Sequence, residues 1–378
     1  MEFGHDRPPG RRRLSRVLLA CLAVAAVVLA AVRLSGHHAH AAHPAAKKAL
    51  PLPPAQVITA GHPLLGVTAG WELFARGPDA LLRIQLAQGR ITWTYVPSLE
   101  TGNPAVAFLV GAHETIIRSA DLVPGYLVPD GGQARRLTGP LAGDGPLLAG
   151  PAGTQAAWVT TGPPTTPALS LITLAGHRSG PAIHFPPGGP ELPATAVPDG
   201  RGYALVTTST LTTYDASPAG DRRVPGTVIA TGPAGWLTVT CKTQDQHCRD
   251  QVITPATGAR RTLPGLALAQ PYYFSWPPTG TIAPDGSIAA VPVPERNAQQ
   301  TVHLINLHTG AVRDLGIPLG LRGTLGAYPE EMAWSPDSHW LFVVTSSGKL
   351  VAVSAATGRP ESLGVSLPAP VSQVAIRP

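Results

Sequence analysis

Three carboxylates recur in one setting and are the first candidates for chemistry in this 378-residue chain. Asp199, Asp285 and Asp337 each follow a proline, and each stands just before an apolar run. Three carboxylates could serve a catalytic site if the fold brought them together. Aspartate after proline also stabilises a tight turn through its own side chain, and one residue in each repeated unit favours that role. We therefore expect turn stabilisation here, and we predict no catalytic residue.

Two cysteines form a second candidate site. Cys241 and Cys248 flank a short polar segment between two strand-like runs. Across a hairpin, such positions lie within the distance that a disulfide spans, and an oxidising compartment would allow the bond to form. The alternative, in which both thiols and His247 bind a metal, needs further ligands that no neighbour supplies. The sequence predicts the disulfide, with no metal site there.

Aromatic residues, which make up only 5% of the chain, concentrate before one apolar run, and a smaller aromatic and acidic group precedes the next. Aromatic side chains at a rim are good anchors for a peptide or a sugar. The predicted binding residues are Tyr272, Tyr273, Trp276, Tyr328, Glu330 and Glu331. In the competing interpretation, Tyr272, Phe274 and Trp276 share one face of an innermost strand and only pack between sheets.

Common catalytic motifs are missing from the sequence. No Gly-x-Ser-x-Gly elbow occurs, and His113-Glu114 lacks the second histidine of a zinc protease motif. Gly348-Lys349 lacks the residues that complete a phosphate-binding loop. A site assembled from loops of several repeats leaves no local motif, so the enzyme hypothesis is weakened and not removed. We predict no cofactor.

A repeated unit runs through most of the chain. Glycine turns recur at intervals of 38 to 52 residues, at Gly89, Gly132, Gly176, Gly220, Gly258, Gly310 and Gly358. Between these turns lie apolar runs of strand-like composition, and 42 prolines disfavour long helices. Such a period is typical of four-stranded blades, which must stack on neighbours to bury both faces. The sequence predicts an all-β propeller of about seven four-stranded blades, with eight as the alternative. The C-terminal run 371–376 is expected to complete the first blade.

Trp334-Ser335-Pro336-Asp337, Ala283-Pro284-Asp285-Gly286 and Val197-Pro198-Asp199-Gly200 each lead into an apolar strand, and a glycine turn follows some 20 residues later. This pattern resembles the repeat of the Tol-system propeller proteins (TolB-like) and, more distantly, of the WD-repeat superfamily. The Trp-Asp dipeptide of the latter is absent. The resemblance covers roughly residues 190–378 and implies a propeller that acts as a binding platform, usually outside the cytoplasm.

The N-terminal region predicts a membrane segment. Residues 17–32 carry no charge, and five arginines precede them, which places the N-terminus in the cytoplasm. The predicted organisation is a basic cytoplasmic tail (1–16), a transmembrane signal anchor (17–34), a flexible His/Ala/Pro linker (35–54) and an extracytoplasmic propeller (55–378). Ala39-His40-Ala41 offers a signal-peptidase-like pattern, so the alternative is cleavage and secretion.

Charge excludes one class of partner. The net charge of +6 lies within residues 1–50, and the remainder has 20 basic and 20 acidic residues. A neutral domain lacks the electrostatic footprint of nucleic-acid binding, whereas the basic tail suits anionic lipid headgroups. The function that follows is a membrane-tethered, non-catalytic platform for an unknown protein or envelope ligand. The alternative is an exported lactonase- or lyase-like enzyme with a metal-assisted site at the central channel.

Overall fold

The computed structural model describes residues 53–97, 106–119, 125–142, 147–151, 154–161, 168–184, 196–207, 213–217, 222–241, 248–264, 280–294, 300–319 and 331–378. The chain divides into two compact units, 1–51 and 52–378, and all described residues belong to the second. The predicted tail, anchor helix and nearly all of the linker therefore lie outside the described residues. Within the described ranges, no helix has the length and apolar character that a membrane crossing requires.

The first sheet contains both the first and the last strand of the described chain. Its strands, from the outer edge inward, are β1 (Gln56–Thr59), β4 (Arg90–Tyr95), β3 (Ala80–Gln85), β2 (Glu72–Arg76) and β29 (Gln373–Arg377). The C-terminal run therefore completes the first sheet, as the sequence predicted.

The next three sheets are antiparallel, each of four strands consecutive in the chain. The second contains β5 (Val106–Val110), β6 (Glu114–Ser119), β7 (Tyr126–Pro129) and β8 (Arg135–Arg136). The third contains β9 (Leu147–Ala149), β10 (Ala156–Thr161), β11 (Ala168–Thr173) and β12 (Ile183–His184). The fourth contains β13 (Ala196–Pro198), β14 (Ala204–Thr207), β15 (Thr213–Asp215) and β16 (Arg222–Val224).

The remaining strands form an eight-stranded sheet and a final four-stranded one. The larger contains β17 (Thr227–Gly232), β18 (Gly235–Thr240), β19 (Arg249–Ile253), β20 (Arg260–Thr262), β21 (Gly280–Ile282), β22 (Ile288–Pro294), β23 (Gln300–Asn306) and β24 (Val312–Leu319). The last contains β25 (Met332–Trp334), β26 (Trp340–Val344), β27 (Leu350–Ser354) and β28 (Pro360–Glu361).

The predicted count of seven separate blades needs correction. Five sheets stand as single blades of four or five strands, whereas β17–β20 and β21–β24 join into one sheet. We number the successive groups of strands as units one to seven: β29 with β1–β4, β5–β8, β9–β12, β13–β16, β17–β20, β21–β24 and β25–β28. The joint is a parallel pairing of β17 with β21, the innermost strands of the fifth and sixth units. Glycine permits this close approach: a Cβ on Gly280 would lie 2.5 Å from the Ile229 carbonyl oxygen, and one on Gly232 2.6 Å from that of Ile282.

The core lies between the sheets rather than at one centre. Among the described residues, seven apolar clusters each join two consecutive four-stranded units. One of them packs Phe342 and Val344 of β26 against Leu73 of β2 and Val374 of β29, so the last unit contacts the first. Each sheet buries both faces only because it has a neighbour on each side. The fold is therefore an all-β propeller.

Indole groups add polar bonds between neighbouring units. Trp158 donates to the Gly202 carbonyl oxygen at 2.7 Å, and Trp236 donates to that of Asp199 at 2.9 Å. Buried indole N–H groups need such acceptors, and these acceptors lie on adjacent units.

Because consecutive strands are antiparallel, each unit has two distinct ends. We call the turn end the one at which the first strand turns into the second and the third into the fourth. The loop end carries the second-to-third connections and the links from one unit to the next. The Pro-Asp turns lie at the turn end, since Pro198 is the last residue of β13 and Asp199 begins the turn into β14.

Candidate functional site

The predicted binding residues belong to two segments of the chain that precede β21 and β25. Glu331 is described, is half-buried and immediately precedes β25. The other predicted residues, Tyr272, Tyr273, Trp276, Tyr328 and Glu330, lie outside the described residues. Their segments link β20 to β21 and β24 to β25, so both connect the outermost strand of one unit with the innermost strand of the next. Their role as a binding site stays a prediction.

The strands that follow these segments lie side by side. Trp334 of β25 donates from its indole nitrogen to the Thr281 carbonyl oxygen of β21, at 3.2 Å. Met332 and Trp334 of β25 also pack in one apolar cluster with Ala283, which directly follows β21. The two links therefore lead into β21 and β25, which are neighbouring innermost strands.

The predicted disulfide is confirmed. Cys241 and Cys248 are bonded, and they close the connection between β18 and β19 at the loop end. Both cysteines pack against the apolar cluster shared by the fifth and sixth units. The bridge therefore ties the loop end of one unit to a buried core.

The three Pro-Asp carboxylates cap their own turns, as expected. Asp199 accepts hydrogen bonds from the backbone N–H groups of Arg201 and Tyr203, at 2.7 and 2.8 Å. Asp285 accepts from the N–H of Ser287 at 2.9 Å. Each turn is thus stabilised by its own aspartate.

Asp337 also caps its own turn, and its pKa lies below the ordinary aspartate value. Burial by itself would raise the pKa of Asp337, but hydrogen bonds from the Ser335 hydroxyl and the His339 N–H outweigh it and lower that pKa. The carboxylate therefore stays ionised and holds the turn in place.

A buried cluster accompanies the first of these turns. Arg201 donates to Asp199 at 3.1 Å, and its guanidinium lies 3.6 Å from Asp215 and 5.6 Å from the centre of the Trp236 ring. Burial raises the pKa of Asp215, an effect that hydrogen bonds from Ser217 and the nearby Arg201 offset only in part. Because Trp236 belongs to the next unit, the cluster joins the fourth unit to the fifth.

A second charged cluster, which we call the seam cluster, lies where the chain closes on itself. It comprises Glu72 of β2, Arg83 and Gln85 of β3, Arg377 of β29, and Asp130 after β7. Arg377 donates to Glu72 and, at 2.7 Å, to Asp130, while Arg83 donates to Glu72 at 2.5 Å. The seam cluster joins the first and last parts of the domain to the second unit.

The electrostatics of the seam cluster favour its charged state. Burial by itself would raise the pKa of Glu72, but the bonds from Arg83 and Arg377 outweigh it and lower that pKa. Burial would likewise lower the pKa of Arg377, yet Asp130 and Glu72 raise it. No sequence motif predicts this cluster, because its members come from distant parts of the chain. The described residues contain no group of three His, Cys, Asp or Glu side chains that could hold a metal ion.

Comparison with known proteins finds only distant structural similarities. No protein-family model and no curated protein matches the chain. TolB from Acinetobacter baumannii is similar in structure, with 16% identity over 81% of each chain and a TM-score of 0.40. AztD from Citrobacter koseri has 12% identity over 81% of this chain and 98% of its own, with a TM-score of 0.40.

A protein from Bacteroides fragilis that is named as a candidate 6-phosphogluconolactonase has 12% identity over 83% of this chain and 99% of its own, with a TM-score of 0.47. Likenesses at this level carry no argument about activity. The β-propeller that the sequence predicted is confirmed by the sheet arrangement described above.

Proposed function

We propose that this chain is a membrane-tethered, extracytoplasmic β-propeller that acts as a non-catalytic binding platform for a protein or another envelope ligand. The observation that carries the proposal is the adjacency of β21 and β25, tied by the bond from Trp334 to Thr281. Two segments that hold the predicted aromatic and acidic residues end at these neighbouring strands. Aromatic anchors supplied by adjacent loops are a common basis for binding at a rim.

The membrane tether and the compartment rest on the sequence. The uncharged run 17–32 after five arginines supports an N-terminal anchor with the propeller outside the cytoplasm. The bond between Cys241 and Cys248 is consistent with an oxidising compartment. Secretion after cleavage is the alternative to a retained anchor.

Crosslinking in the native envelope, followed by purification of the full chain, tests the platform. We expect a defined partner to be captured by the wild type and lost from a Tyr273→Ala/Trp276→Ala variant, with the melting temperature unchanged. His308→Ala, an exposed substitution at the turn end, is the control and should leave capture intact.

Two results would contradict the proposal. In the first, capture persists in the aromatic variant. In the second, the purified chain hydrolyses lactones in a metal-dependent manner, which would establish the lactonase- or lyase-like enzyme instead. The similar structures do not decide between the two functions.

A further inference from the structure

Arginines recur at the turn end, although residues 51–378 carry equal numbers of basic and acidic residues. In each of the seven four-stranded units, at least one arginine follows the glycine turn between the third and fourth strands within four residues. We call these residues the arginine band: Arg90, Arg135, Arg136, Arg178, Arg222, Arg223, Arg260, Arg261, Arg313 and Arg359. They supply half of the 20 basic residues that follow residue 50.

Strand register places the band at one end of the sheets. Arg90 pairs with Gln85 and Arg260 with Ile253, the last residues of the third strands in their units. Arg313 pairs with Leu304, near the end of β23. The band therefore follows the outer circumference of the propeller at the turn end. Its side chains are exposed wherever the structure describes them, which is for every member except Arg222.

Among the described residues, few carboxylates lie on the fourth strands that carry most of the band. Asp199, Asp215 and Asp250 are buried, and Asp285 and Asp337 cap turns. On the fourth strands, the described carboxylates are those of Asp314 and Glu361, and Asp221 precedes Arg222 outside the described residues. On the described fourth strands, the exposed charges are therefore mostly those of arginine.

Some members of the band have internal partners. Arg261 donates to the Leu307 carbonyl oxygen of the next unit at 2.5 Å, and Arg313 packs against Gly358 of the unit after that. Arg135 lies 3.8 Å from Glu114 and is the only band member ion-paired to a carboxylate among the described residues. Six further described members stand exposed, one in each unit except the sixth, in which Arg313 is the exposed member: Arg90, Arg136, Arg178, Arg223, Arg260 and Arg359.

We propose that the arginine band binds a flexible polyanion with repeated phosphate groups. The planar guanidinium donates two parallel hydrogen bonds to a phosphate, and no lysine occurs in the band. Arginines on successive units form a curved track that a flexible chain can follow. This inference goes beyond the proposed function, because its residues follow the turns between third and fourth strands, whereas the predicted aromatic site precedes β21 and β25 in the chain.

The experiment titrates the full chain, held in a neutral detergent, with labelled linear polyphosphate at several salt concentrations. Arg136→Gln/Arg260→Gln removes two exposed members of the band. The matched control, Arg249→Gln/Lys349→Gln, removes two exposed cations at the loop end. We expect the band variant to bind roughly tenfold more weakly and the slope of log affinity against log salt to shrink by about one to two. The control should change affinity less than twofold.

Several outcomes would overturn the inference. The wild type could fail to bind polyphosphate, or the two double variants could lose affinity equally, as a general charge effect requires. Tighter, band-dependent binding to phosphatidylglycerol vesicles than to polyphosphate would assign the band to a bilayer instead. Circular dichroism melting confirms that each variant is folded. Tyr273→Ala should leave polyphosphate binding unchanged, so failure of the proposed platform is distinguishable from failure here.

Discussion

The two ends of the sheets differ in how they are stabilised. At the turn end, aspartates such as Asp285 and Asp337 bond to the turn that contains them, and the seam cluster joins separate units. At the loop end, long links such as 263–279 and 320–331 run from one unit to the next, and the disulfide closes one connection. A sequence pattern recurs at the turn end because the same kind of tight turn recurs there in several units. The loop end is where sequence can vary without breaking the repeat, and binding residues in many folds occupy such positions.

The largest effect should come from filling a crowded turn. Gly200 has a φ of +83°, and a Cβ there would lie 2.3 Å from the carbonyl carbon of Gly232. Gly200→Ala is expected to lower the free energy of unfolding by about 3 kcal/mol, because both backbone strain and overpacking contribute. Urea denaturation measures the change.

Gly131→Ala is the control for that prediction. Gly131 also has a positive φ, +68°, but nothing lies within 4 Å of its added Cβ. This variant should cost only about 1 kcal/mol. Equal losses for the two glycines would show that close approach between units contributes nothing.

Removing an arginine from the seam cluster should lower the free energy of unfolding nearly as much. Arg377→Ala removes one of the two arginines that pair with the partly buried carboxylates of Glu72 and Asp130, and leaves them only Arg83. We expect the free energy of unfolding to fall by roughly 2–3 kcal/mol. Arg136→Ala on β8, where the arginine is exposed, should change it by less than about 0.5 kcal/mol. If Arg377→Ala were as stable as Arg136→Ala, the ion pairs of the seam cluster would not stabilise the contact between the first and last strands of the domain.

The disulfide tests the loop end. Replacing both Cys241 and Cys248 with serine should lower the free energy of unfolding by about 2 kcal/mol, since the closed loop is short. Thermal denaturation with and without a reductant provides the measurement. The wild type should lose stability on reduction and the double variant should not; sensitivity of the double variant would point to another cause.

The smallest effect concerns pH. The folded-state pKa of Glu72 lies below its ordinary value, so its contribution to stability is present above that ordinary value and is lost as pH falls through the folded pKa. The pKa of Asp215 is raised, so its ionisation opposes folding as pH rises above the ordinary aspartate value.

Stability curves from pH 7 into the acid range separate these two groups. Glu72→Gln should flatten the acid loss, whereas Asp215→Asn should steepen the net loss, because it removes a group that favours folding in acid. A Glu72→Gln curve parallel to that of the wild type would mean that the seam carboxylate has the same pKa in both states.

Several strands and turns of the structure were predictable from the sequence. The run beginning at Ile288 predicted a strand that is β22, and the run 371–376 predicted the closing strand β29. The Pro-Asp turns and the disulfide were also predictable, because each depends on residues close together in the chain. The charge count, by contrast, concealed the arginine band, since composition does not say which side of a strand or which end of a sheet a residue occupies.

The sequence by itself determined the repeated unit, because strands, tight turns and turn-capping aspartates follow from local chemistry. Only the tertiary structure decided how units meet. The pairing of β17 with β21 depends on glycines that are 48 residues apart, Gly232 and Gly280, and the seam cluster joins Glu72 to Arg377. Such contacts arise when the ring closes, and closure brings together residues whose separation along the chain leaves no pattern to detect.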